Sequence, residues 1–131
     1  MQENDTKITK FTDLIAWVEA HKLVIMVYKV TKLFPRDEQF GLTNQVRRAA
    51  VSITSNIAEG FGRRSVKERL NFYNISLGSL YEVQNQIMIS KDIGYLSLKT
   101  WNDFENQIII TSKVLNGLIK KTSSYLLPRN S

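Results

Sequence analysis

The chain of 131 residues contains no cysteine. Disulfides, thiolate metal sites and cysteine nucleophiles are excluded together, which fits a reducing compartment. The single histidine, His21, rules out a multi-histidine metal site. Its longest purely apolar run, Leu23 to Tyr28, falls far short of the ~20 residues a membrane span needs. Met1-Gln2-Glu3-Asn4-Asp5 is polar and acidic, unlike a signal peptide. Proline is confined to Pro35 and Pro128. What is present is ordinary for one globular domain, with 43% apolar and 23% charged residues. The expectation is a soluble cytoplasmic domain, off the membrane and without a cofactor.

Charge says more. The net charge is +6 and the pI is near 9.7. A basic excess favours polyanion partners, RNA, DNA or an anionic membrane face, the alternative being a basic protein with no such partner.

Glycine and proline divide the chain into four segments, with breaks at Pro35–Gly41, Gly60–Gly62 and Gly94 and an end at Pro128. Long segments nearly free of both residues read as helices joined by short turns. The first, from about Thr12 to Phe34, carries two apolar stripes. One is Leu14, Trp17, His21, Val24, Tyr28 and Thr31, and the other Ala20, Leu23, Val27, Val30 and Phe34. Two stripes predict burial on two sides, one against the domain's own core and one against another subunit. The second segment, Leu42 to Glu59, has Val46, Ala49, Ala50, Ile53 and Ile57 on one face, and Gly60 is read as its C-terminal stop. Ser65 and Glu68 form a capping box for the third, which ends near Gly94. Ser97 is placed to cap the fourth, which ends near Lys121. Gly78 and Gly117 fall inside helices, where close approach of a neighbouring helix is the expected reason. The reading is an all-α, antiparallel up-down-up-down four-helix bundle over 11–122. Flexible, frayed tails are expected at 1–10 and 123–131.

Catalytic material is scarce. A carboxylate-bridged metal pair in a bundle needs Glu-x-x-His on two helices; there is one histidine, and position 18 is Val. His21 is expected as a packed, hydrogen-bonded core residue. Gly60-Phe61-Gly62-Arg63-Arg64-Ser65 lacks the Gly-Lys-Ser/Thr of a phosphate loop and follows no strand. It reads as a turn, although the following helix N-terminus can still attract anions. No catalytic or metal site is expected.

Basic residues gather at Arg63, Arg64, Lys67 and Arg69, with Arg47 and Arg48 on the second helix and Lys120, Lys121 and Arg129 near the C-terminus. The turn cluster and Arg47 fall at opposite ends of the second helix. Two readings fit: phosphate contacts, or a solvated face with local ion pairs such as Arg64 with Glu68. One of Arg47 and Arg48 is a candidate partner for Glu59 or for a partner chain. A polar line, Gln45, Ser52, Asn56 and Glu59, runs beside the core stripe. It reads as a half-exposed flank, as a buried network setting register between subunits, or, third, as a ligand pocket.

Phe40 to Ile53, continuing as Ser55-Asn56-Ile57-Ala58-Glu59-Gly60, resembles the signature of the bacterial four-helix-bundle proteins encoded within intervening sequences of large-subunit ribosomal RNA genes. Phe11-x-Asp13-Leu14 with Trp17, Phe34-Pro35, Leu77-Gly78-Ser79-Leu80-x-Glu82 and Leu115-x-Gly117-Leu118-Ile119 extend the likeness over about Phe11 to Lys120. The resemblance implies a ring-shaped homopentamer without known enzymatic activity. That family is similar to the accessory proteins of diversity-generating retroelements, basic pentamers that bind nucleic acid and work with a reverse transcriptase. Thr54 departs from the proline of many relatives, which removes the reason for a kink there.

The leading expectation is a non-catalytic, oligomeric nucleic-acid-binding protein, RNA first, with Arg63, Arg64, Lys67 and Arg69 on phosphates and Arg47 and Arg48 as secondary contacts. The alternatives are a structural adaptor engaging a protein partner such as a reverse transcriptase, and an enzyme with a pocket of perturbed ionisable groups.

Overall fold

A computed structural model describes residues 7–126. The parts of the expected tails at 1–6 and 127–131, with Pro128 and Arg129, lie outside them. Among the described residues there are four α-helices and no strand: α1 (Ile15–Thr31), α2 (Leu42–Phe61), α3 (Val66–Asp92) and α4 (Leu98–Ser123). Short 3-10 turns occupy Phe11–Asp13, Arg36–Glu38 and Ser124–Leu126. No helix among these residues is long and apolar enough to cross a membrane.

Consecutive helices pack side by side and α4 closes back on α1. Cross-helix bonds show antiparallel neighbours. Ser52 meets Ser79, and Ser76 bonds the Ile53 carbonyl. Gln107 and Thr111 of α4 bond Glu19 of α1. One end of the bundle therefore gathers the start of α1, the α2–α3 turn and the end of α4. The other gathers the α1–α2 and α3–α4 connections.

The first helix is shorter than its sequence pattern. Phe11–Asp13 forms a separate turn in which Asp13 Oδ2 accepts the N–H groups of Thr9 and Lys10 at 3.0 and 3.2 Å. These bonds, the Thr9 one foremost, hold its carboxyl below the usual range, and they tie down the last two residues of the expected tail. Of the two stripes, Ala20, Leu23, Val27 and Phe34 are buried, while His21 and Tyr28 are exposed. His21 is thus not a core residue. Its ring stacks on Trp17 with centroids 4.6 Å apart.

Gly60 also differs from its reading. It does not end α2 but lies buried inside it, and a Cβ there would come within 2.6 and 2.9 Å of Tyr73 ring atoms. The helix runs on to Phe61, with Gly62 as its C-cap at an ordinary φ of −79°. Glycine at 60 lets α3 approach, which is the role expected of Gly78 and Gly117. Those two are exposed, and a Cβ at either would meet nothing within 4 Å among the described residues.

The caps follow the sequence closely. Ser65 Oγ accepts the Glu68 N–H at 3.0 Å, although the return bond from Glu68 does not form. Ser97 Oγ accepts the Thr100 N–H at 3.1 Å. α3 ends in a Schellman motif: Gly94 at φ +90°, with Tyr95 N–H on Ser90 O and Gly94 N–H on Lys91 O. α4 extends beyond Lys121 to Ser123, so residues 123–126 are helix and turn rather than tail.

At the connection end, Glu38 performs two tasks. Oε1 accepts the Leu42 N–H at the start of α2, and Oε2 accepts the Tyr95 hydroxyl at 2.8 Å. The Tyr95 bond is the main reason that the Glu38 carboxyl is held below its ordinary value. The same bond raises the Tyr95 phenol.

Two outcomes are expected. Gly60→Ala lowers stability by about 1–3 kcal/mol through overpacking, whereas Gly78→Ala raises it by about 0.5–1 kcal/mol; urea midpoints measure both. Glu38 has a depressed folded pKa, so its stabilisation is present above its unfolded value and is lost as pH falls through the folded one. Tyr95→Phe therefore lowers Tm at neutral pH, and its gap from the wild type narrows in acid.

Candidate nucleic-acid interface

Within the turn cluster the four cations are in unlike states. Arg63 Nη2 pairs with Glu59 Oε2 at 3.0 Å, and its guanidinium lies over the Phe72 ring at 4.7 Å. Arg69 Nε donates to the Arg63 carbonyl at 2.7 Å, bracing the turn. Arg64 and Lys67 are exposed and have no side-chain partner among the described residues. The pair expected between Arg64 and Glu68 does not form. Arg63 lies one residue past the C-cap of α2, where its N–H still bonds the Gly60 carbonyl and its side chain reaches Glu59, whereas Arg64 precedes the extended N-cap Ser65 and is not on a helix face with Glu68.

The turn is not isolated. Lys7 and Lys10 precede α1, and Lys120 and Lys121 sit on the last turn of α4, so topology brings them to the same end of the bundle. Among the described residues, the carboxylates there are Asp13, Glu59 and Glu68. Asp13 is engaged by backbone N–H groups and Glu59 by Arg63. Cations therefore prevail at this end.

Arg47 and Arg48 lie about 24 Å up α2 from Arg63, at ~1.5 Å per residue, in keeping with two separate groups. Neither is held by Glu59. Arg47 Nε donates to Thr31 Oγ1 at 2.8 Å, and its guanidinium covers the Tyr28 ring at 4.7 Å. Arg48 is exposed, as are Lys29 and Lys32 on α1. Sequence reasoning treated Tyr28 as part of an apolar stripe and gave the two lysines no role. Their spacing of three beside an aromatic was the available signal.

The polar line of α2 is divided. Ser52 Oγ and Ser79 Oγ are 2.8 Å apart, and Asn56 Nδ2 bonds both the Ser52 carbonyl and its hydroxyl. This half-buried network joins α2 to α3 of the same chain. Gln45 and Glu59 are exposed and take no part in it. Gln45 instead lines a groove of about 360 Å³ with Arg48, Ser52, Glu82 and Gln86. There Gln86 Oε1 is buried without a hydrogen-bond partner among the described residues.

The family model described as 23S rRNA-intervening sequence protein matches residues 12–117. No curated protein matches. Among solved structures, the chain is similar to the crystal structure of a protein of unknown function from the S23 ribosomal protein family of Bacteroides thetaiotaomicron. The TM-score is 0.74 at 20% identity, covering 81% of this chain and 96% of that one. That likeness shows a shared fold.

Asn56→Ala removes the only side-chain bonds described for Asn56 and leaves the Ser52–Ser79 contact in place. A loss of about 1 kcal/mol is expected, read as a lower Tm with helix content unchanged by circular dichroism.

Proposed function

Because the chain belongs to the 23S rRNA-intervening sequence protein family, we propose that it acts as a non-catalytic, oligomeric nucleic-acid-binding protein with RNA as its first target. The observation that carries this reading is the basic end of the bundle. Arg64 and Lys67 are exposed and unpaired among the described residues, flanking the serine-capped start of α3. Phosphates gain there from both the side chains and the helix N-terminus. Arg63 and Arg69 contribute less, since one is paired with Glu59 and the other braces the turn. Arg47 and Arg48 form a second contact region.

Assembly multiplies the charge. The resemblance suggests a ring of five copies, which at +6 each would carry about +30 and attract polyanions from a distance. We place the contact between copies on the outer α2–α3 seam. Gln45 is exposed there beside the orphaned Gln86 oxygen, which a donor from a neighbouring copy would satisfy. Ser52 and Asn56 hold the seam in shape from within, and exposed Glu59 lies at its far end.

An adaptor role toward a protein partner is favoured by a different observation. At the connection end, Phe40 is 88% exposed, Leu33 82% and Leu98 68%. Apolar side chains so exposed are candidates for contact with another protein.

The two readings separate in one experiment. Binding to a structured RNA is followed by fluorescence anisotropy across a salt series, with light scattering on the same sample. A log–log slope of several phosphates is expected. It should become shallower by about 1.5 in the Arg64→Gln/Lys67→Gln variant, at ~0.7–0.9 per contact. Absence of binding at low salt overturns the nucleic-acid reading and leaves the adaptor.

A further inference from the structure

We infer that the groove between α1 and α2 is a built site for one nucleotide, taking its phosphate and the face of its base, so that the target strand carries unpaired nucleotides. The inference rests on the nucleic-acid reading above but on different residues. The groove has a volume of about 500 Å³ and is lined by Tyr28, Asn44, Arg47, Arg48, Ser52 and Ser55, together with Val51. No carboxylate among the described residues lines it.

Arg47 is the key group. It is half-buried, yet its partner is a hydroxyl rather than a carboxylate. Thr31 Oγ1 donates its own proton to the Val27 carbonyl at 2.7 Å, so it faces Arg47 purely as an acceptor. This relay orients the guanidinium without neutralising it. Arg63 provides the contrast, since Glu59 cancels its charge. A partly desolvated cation with no counter-ion gains most from an incoming anion. The Nη groups have no partner among the described residues, and they form the fork that matches phosphate oxygens. Because the side chain is already fixed, little rotamer freedom is lost on binding.

The base follows from the stack. Tyr28, 39% exposed, covers one face of the Arg47 guanidinium. In this proposal the base takes the opposite face of the guanidinium plane. Bases stack on such planes only when their own faces are free, which in a paired duplex they are not. Arg48, which lines the groove, and Lys29 and Lys32, exposed on the same end of α1 as Tyr28, serve the neighbouring phosphates.

The test compares a labelled oligouridylate with a fully paired RNA duplex of equal length, by anisotropy. Wild type is expected to prefer the single strand. Arg47→Lys keeps the charge but loses the fork and the stack. It should weaken single-strand binding about tenfold with little change in salt slope, and leave duplex binding unaltered. Thr31→Val, which removes only the orienting hydroxyl, should act in the same direction; thermal melts check that both variants fold. If both variants bind the single strand like wild type while Arg64→Gln/Lys67→Gln weakens it, the groove is refuted and the nucleic-acid reading stands. If wild type binds neither RNA, both fall. A further arm follows the Arg47 Nε–H resonance. Inorganic phosphate is expected to shift it and uridine monophosphate to shift it further at equal concentration; equal shifts mean an anion pocket alone and overturn the base contact.

Discussion

The close approach of α2 and α3 is the constraint on which the rest of the structure depends. It needs glycine at 60, because any Cβ there would enter the Tyr73 ring. It also needs small side chains at Ala49, Ala50, Ser76 and Ser79. Serines at such a seam would be costly if left unpaired. Here Ser76 bonds the Ile53 carbonyl and Ser79 meets Ser52, so the polar groups are satisfied inside the contact. With α2 set against α3, its opposite flank is left for α1, and the basic groove lies along α2 beside Tyr28 of α1.

How legible this was depended on range. The helices, their antiparallel order and the caps at Ser65 and Ser97 are written locally, in spacing and in hydroxyls three residues ahead of an N–H. Gly94 was likewise readable as a stop. Gly60 was not, because glycine as a terminator and glycine as a contact look alike until the facing residue is known. His21 shared the spacing of the core stripe, but that stripe wraps onto the solvent side of α1, where Trp17 gives it a stacking partner. The Glu59–Arg63 pair and the expected Arg64–Glu68 pair have the same spacing. The first spans a helix C-terminus, where the Arg63 N–H still bonds the Gly60 carbonyl, and the second a helix N-terminus, where the chain enters through extended Ser65. Arg47 was singled out for its charge, whereas what distinguishes it is the Thr31 hydroxyl sixteen residues earlier in the chain. The seam of Gln45, Glu82 and Gln86 likewise depended on how two helices lie together.

The cations illustrate why net charge is a poor guide to a site. A carboxylate neutralises Arg63, a carbonyl engages Arg69, and a hydroxyl orients Arg47. Arg64 and Lys67 are free among the described residues. Residues that count equally in a sum thus differ in what they offer an anion: bulk attraction from the exposed pair, geometry from the oriented one.

The bundle also has a direction. Its basic end holds the α2–α3 turn and the approaches to both chain termini, while the far end presents Leu33, Phe40 and Leu98. Repeating such an object by rotation about an axis parallel to its helices keeps like ends together, so that the α2–α3 turns share one rim and Leu33, Phe40 and Leu98 the other. A two-fold axis across the helices would instead alternate them and cancel the difference. A polar assembly of this kind shows Leu33, Phe40 and Leu98 at one rim only, while cations lie at the other rim and, through Arg47 and Arg48, along the flank.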